Sequence, residues 1–190
     1  MMRFQNQVIW ITGASSGIGE ALAYALAAEG AKLVLSARRH EMLEKVRLAC
    51  TEPDRHLVLP LDMTDIGTFG PSMQYVLDRL GRIDMLINNA GVSQRSLVRE
   101  TSLAVDRALM ETDFFGPVAL VKTVLPYMLS RRQGRIVAVS SIAGLIATPM
   151  RSTYAAAKSA LKSFHDALRA EVHDSGVGVT VIYPGFIRTP

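Results

Sequence analysis

A β-branched run, VIWIT at 8–12, passes without a linker into TGASSGIG at 12–19. Few backbones require three glycines at that point. Gly13 permits a tight turn, Gly17 lets the main chain approach a pyrophosphate, and Gly19 lets a helix pack closely on the strand. Ser15, Ser16 and Ile18 fill the same turn and complete the expected contact set. A helix that begins inside this segment offers free N–H groups and a partial positive charge to phosphates. The spacing is G-x-x-x-G-x-G rather than the commoner G-x-G-x-x-G. Three glycines alone are often only a turn, so their meaning depends on the rest of the chain.

Downstream of the glycines the chain alternates regularly. Short apolar runs rich in β-branched residues occupy 8–12, 32–36, 56–59, 85–87, 135–139 and 177–182. Continuous apolar runs suit parallel strands buried on both faces. Between them, helix-period segments cover 18–29, 40–50, 69–80, 103–129 and 153–174. This predicts an α/β fold, a doubly wound parallel sheet with helices on both faces. Such a sheet binds ligands at the carboxyl ends of its strands.

About 20 residues past the glycines, at the end of the second strand, an acid would bind the ribose hydroxyls of NAD. The sequence there reads LSARRH, without Asp or Glu. Arg38 and Arg39 instead suit a 2′-phosphate, because a guanidinium fork matches phosphate geometry. The expected cofactor is NADP, with NAD the less favoured one.

Further along, STYAAAKSAL at 152–161 sets Tyr154 and Lys158 four residues apart in an alanine-rich, helix-favouring stretch. Positions i and i+4 share a helix face. A cation about 4 Å from a phenolate, at an effective dielectric near 20, is worth about 4 kcal/mol. Taken alone, the pair reads as a surface tyrosine beside a solvated lysine. With TGASSGIG, NNAG at 88–91, Ser141, YAAAK at 154–158 and YPG at 183–185 in order, the chain resembles the short-chain dehydrogenase/reductase family.

The resemblance implies a Rossmann-type sheet, a nicotinamide cofactor and reversible oxidation of a small-molecule alcohol to a carbonyl. It implies Tyr154 as general acid/base, Lys158 as its activating cation and holder of the nicotinamide ribose, and Ser141 as donor to the substrate oxygen. Asp62, with Met63 beside it, would bind the adenine; Asn89, Ala90 and Gly91 would line the cofactor; Pro184, Gly185, Ile187 and Thr189 would border the nicotinamide. Asp113 stands where similar proteins carry a catalytic Asn whose main-chain carbonyl holds a relay water. Pro117, four residues on, has no N–H to give that carbonyl. The expectation is that Asp113 keeps the relay through its backbone and that Asp for Asn is tolerated. Two other readings are a carboxylate that neutralises part of the Lys158 field and an exposed helix acid.

Bulk properties exclude several classes. The chain has 190 residues, 49% hydrophobic and 20% charged, with a formal net charge of +4; a single domain over 1–190 is expected. The arginine pairs lack interleaved aromatics, which argues against nucleic acid. Lys122 and Pro126 interrupt the most apolar run, so no membrane span is expected. Lone Cys50 and the absence of a signal peptide suggest a cytoplasmic protein. The four histidines lack metal spacing, and no G-x-S-x-G hydrolase elbow occurs. The resemblance further implies a homodimer or homotetramer, and a family chain that continues past YPGFIRTP into a loop, a helix and a last strand. A non-catalytic dinucleotide sensor and a nucleotide-sugar epimerase are the alternatives; an intact Ser-Tyr-Lys set and the glycine spacing weigh against them.

Overall fold

The computed structural model describes residues 2–187. Six parallel strands form one sheet: β1 (Val8–Thr12), β2 (Lys32–Ser36), β3 (Leu57–Val58), β4 (Met85–Asn88), β5 (Gly134–Val139) and β6 (Val177–Ile182), in the order β3-β2-β1-β4-β5-β6. The order reverses beside β1, which opens a crevice at the carboxyl ends of β1 and β4.

Alternate strand residues supply the two faces. Val8, Trp10, Val34, Leu86 and Ile136 pack against α3 (Phe69–Leu80) and α5 (Gly116–Ser130), with Leu168 of α6 (Ser152–Glu171). Ile9, Ile11, Leu33, Leu35 and Ile87 face α1 (Gly17–Ala28) and α2 (His40–Ala49). Both faces are therefore covered, which is why the strands read as unbroken apolar runs. The Trp10 indole N–H, buried with its ring, donates to Ser36 Oγ at 2.9 Å.

Two elements differ from the sequence reading. The third strand is only two residues long, because His56 turns its ring toward β2 and accepts the Leu33 N–H at Nδ1, 3.2 Å away. The single helix expected over 103–129 is three pieces: α4 (Leu103–Met110), a π-helical turn (Glu111–Phe115) and α5. Gly116 N–H reaches back to Glu111 O, and Pro117 supplies no N–H to the ladder. Gly116 also lies against the main chain of Met63, where an added Cβ would stand 2.2 Å from its carbonyl oxygen. The widened turn fits the helix closely over the segment after β3.

Candidate active site

A cleft of about 970 Å³ runs along the carboxyl ends of the strands. At its centre the chain leaves β1 through Gly13 and Gly17, at φ 66° and 59°. A Cβ on Gly13 would meet Ala90 Cα at 2.8 Å, and one on Gly19 would meet Gly13 O at 2.2 Å. The turn is thus filled by its own backbone. Asn89 binds it down: its amide donates to Thr12 O at 3.0 Å and Gly13 O at 3.2 Å. The Thr12 hydroxyl in turn accepts the N–H groups of Asn89 and Ala90. Asn89 therefore shapes the glycine turn and also lines the cleft, two roles the NNAG motif alone did not distinguish.

Helix α1 opens onto the cleft with Ser16 as N-cap, and the Ser16 side chain makes no capping hydrogen bond. The first N–H groups of α1 are left for an anion. Ser15, Ser16, Gly17 and Ile18 all line the cleft there. Beyond β2, Arg38 and Arg39 line its end together with Asp62 and Met63. The Asp62 carboxylate accepts the Thr64 N–H at 2.9 Å and hydroxyl at 2.8 Å. Those bonds, the backbone one first, hold its carboxyl below the ordinary carboxylate range, with Arg38 adding to the effect. Met63 buries its side chain in the core while lining the cleft.

The other end carries the reactive groups. Ser141 follows β5, and its hydroxyl accepts the Ala143 N–H at 3.1 Å, leaving its own proton to donate. Tyr154 and Lys158 project from one face of α6, with Nζ 5.7 Å from the phenol ring centre. Lys158 is buried; its ammonium lies 3.5 Å from Val139 O and 3.2 Å from Asp113 Oδ2. Gly91 is the floor beneath them, where a Cβ would stand 3.0 Å from Asp113 Oδ2 and 3.1 Å from Lys158 Nζ. Ala90, Pro184, Gly185 and Ile187 also line this region, and Pro184 O accepts the Ile142 N–H. Thr189 lies outside the described residues.

The structure removes one of the alternative readings of Asp113. The residue is not an exposed helix acid: its side chain is wholly buried, and Oδ1 accepts the Val92 N–H at 2.7 Å. Burial pushes its carboxyl above the ordinary value, against the opposing pull of Lys158. Three further cleft residues carried no sequence signal: Ser93, Thr148 and Arg151. Among the described residues no group of three His, Cys, Asp or Glu side chains is placed to hold a metal, and no helix is long and apolar enough to cross a membrane.

The glycine cradle and the uncapped helix fit a dinucleotide along one half of the cleft, which leaves the Ser-Tyr-Lys cluster at the other. Fold and cleft together define a dinucleotide-binding α/β protein. The family model for short chain dehydrogenases matches residues 7–190, and the chain belongs to the short-chain dehydrogenase/reductase family. It is 48% identical over 190 residues to dehydrogenase/reductase SDR family member 7 of Homo sapiens, covering 97% of this chain and 56% of that protein. It is 45% identical over 192 residues to member 7B of Bos taurus, covering 97% of this chain and 59% of the relative. The chain thus spans less than two thirds of the curated relatives it matches. Among solved structures, levodione reductase superposes with a TM-score of 0.95 at 32% identity, over 99% of this chain and 74% of that one. A short-chain dehydrogenase from Streptomyces avermitilis gives 0.91 at 38%, over 96% and 66%.

Proposed function

We propose that the chain is the cofactor-binding and catalytic part of an NADP(H)-dependent oxidoreductase that interconverts an alcohol and a carbonyl. The observation that carries this is the convergence of Ser141, Tyr154 and Lys158 on the same cleft as the glycine turn. When bound, the nicotinamide exchanges a hydride with the substrate carbon. Tyr154 exchanges the proton with the substrate oxygen, and Ser141 donates a hydrogen bond to that oxygen. Lys158, held by Asp113 and Val139 O, places its charge beside the phenol and favours the phenolate. Carbonyl 113 sits in the π turn that Pro117, which has no N–H, follows, and in this reading it holds a water that carries protons between Lys158 and solvent.

Preference for NADP(H) rests on Arg38 and Arg39 and on the lack of an acid at the end of β2. Titrating the protein with NADPH and NADH tests it: NADPH binds more tightly, and Arg38→Asp weakens NADPH more than NADH. Equal or tighter NADH binding overturns the assignment.

A further inference from the structure

Six charged side chains line the cleft: Arg38, Arg39, Asp62, Asp113, Arg151 and Lys158. Arg38, Arg39 and Asp62 stand together at the end beyond β2. Lys158 is buried against Asp113 at 3.2 Å, so its charge is shared within the protein. Arg151, the residue before α6, is different. It is half-buried, and among the described residues no carboxylate lies at ion-pair distance from it.

Its guanidinium is nonetheless held in place. One Nη donates to the Ser93 hydroxyl, from the loop after β4. The guanidinium carbon stands 5.6 Å from the centre of the Tyr154 ring, a stacking distance. Two cations therefore lie near the same ring at nearly equal range: Lys158, beside Asp113, and Arg151, with no carboxylate at ion-pair distance among the described residues. Four of the five guanidinium N–H donors remain in a fork that matches a carboxylate. The neighbouring lining is apolar: Val92, Ile142 and Ile146 are 42%, 43% and 76% exposed on this rim of the cleft. Apolar side chains exposed singly are ordinary, but three on one rim beside a held cation describe a ligand with an apolar body and one anionic group.

We propose that Arg151 determines specificity, holding a carboxylate next to the reacting carbonyl of a substrate whose remaining body is apolar. This rests on the oxidoreductase reading of the cleft. If Arg151 served only to pack against the Tyr154 ring, the charge of the substrate would not matter.

The test compares an oxo acid with its neutral ester. Protein loaded with NADP+, which has no hydride to give a ketone, is titrated with benzoylformate and with methyl benzoylformate, and binding is followed calorimetrically. The acid should bind at least roughly tenfold more tightly, the scale of one charge-assisted hydrogen bond. Arg151→Gln should erase that preference by weakening the acid alone, and Arg151→Lys, which keeps the charge, should retain part of it. NADPH uptake by each variant reports that its cleft is folded. Equal binding of acid and ester, binding of neither, or a preference that survives Arg151→Gln would overturn the proposal while leaving the dinucleotide reading in place. A wild-type protein that takes up no NADPH overturns both.

Discussion

Tyr154 stands 5.7 Å from one cation and 5.6 Å from another, and its hydroxyl is the one atom the proposed chemistry requires of it. Tyr154→Phe deletes that atom and little packing. Turnover of any substrate should fall by roughly 10²–10⁴-fold, while NADPH affinity changes little; substantial turnover in the variant would remove this phenol from the proton path. Asp113 tests the electrostatics behind it. The buried carboxylate ionises at a raised pH, and once ionised it cancels part of the Lys158 field 3.2 Å away. Asp113→Asn keeps the acceptor for Val92 N–H and removes the charge. Alcohol oxidation by the variant should reach its plateau at lower pH and run roughly 3- to 10-fold faster near neutrality. An unchanged pH–rate profile would favour the simpler idea that only the backbone of residue 113 matters. In sequence the pairing of Asp113 with Lys158 was only one alternative reading, drawn from the resemblance, and the structure makes it at 3.2 Å. Tyr154 and Lys158 could be matched by their i, i+4 spacing, whereas Asp113, Gly91 and Lys158 come from three elements and meet only through the fold.

Elements were legible where one local rule decided them. The glycine turn is such a case, since φ 66° at Gly13 and the contact of α1 with β1 each exclude a side chain. Gly19→Ala would drive its Cβ to 2.2 Å from Gly13 O and 2.6 Å from the Asn89 amide. The turn must shift, so the variant should lose about 1–3 kcal/mol of stability and most of its NADPH affinity. Gly70→Ala in α3 is the matched control. Nothing lies within 4 Å of the new Cβ, and Gly70 stands in the first turn before Pro71, so the change should move stability by no more than about 0.5 kcal/mol. Thermal melts with and without NADPH check both; a tolerated Gly19→Ala would mean that the cradle is looser than its contacts imply. The π turn at 111–115 was not legible, because apolar periodicity runs through it unchanged. Its causes are the missing N–H of Pro117 and the close approach of Gly116 to Met63, and the second is a tertiary contact. The third strand was over-read for a similar reason: His56 has a strand-like neighbourhood, yet its ring spends itself on Leu33 N–H.

At the scale of the whole molecule, a parallel sheet covered on both faces followed from alternation of unbroken apolar runs with helices, whereas the strand order came from the structure. The buried histidines did not, and they set how the fold responds to acid. His56 Nδ1 accepts Leu33 N–H while Nε2 faces Thr51 O at 2.9 Å, so the ring is neutral with its proton on Nε2. His165, wholly buried in α6, donates from Nδ1 to Leu161 O at 2.8 Å, and its Nε2 has no partner among the described residues. Burial lowers the pKa of both below 6.5, foremost among the causes. A histidine depressed in the native state binds its proton more readily when unfolded. Its contribution is present above about pH 6.5 and is lost as pH falls toward the lower native value. Asp113 works the other way, because its raised native value makes protonation on acidification stabilising. Asp62 and Asp166, both held below the ordinary carboxylate range, matter only at lower pH still. Between pH 7 and 5 the histidines should dominate, and the melting temperature should fall by a few degrees. Asn at positions 56 and 165 puts a non-titrating polar atom near each Nδ1, so His56→Asn combined with His165→Asn should flatten that slope even at the expense of some stability at pH 7. Adding Asp113→Asn should steepen the slope of the otherwise unchanged protein, since the opposing proton uptake is then gone. A slope that survives the double histidine variant would place the acid sensitivity elsewhere in the molecule.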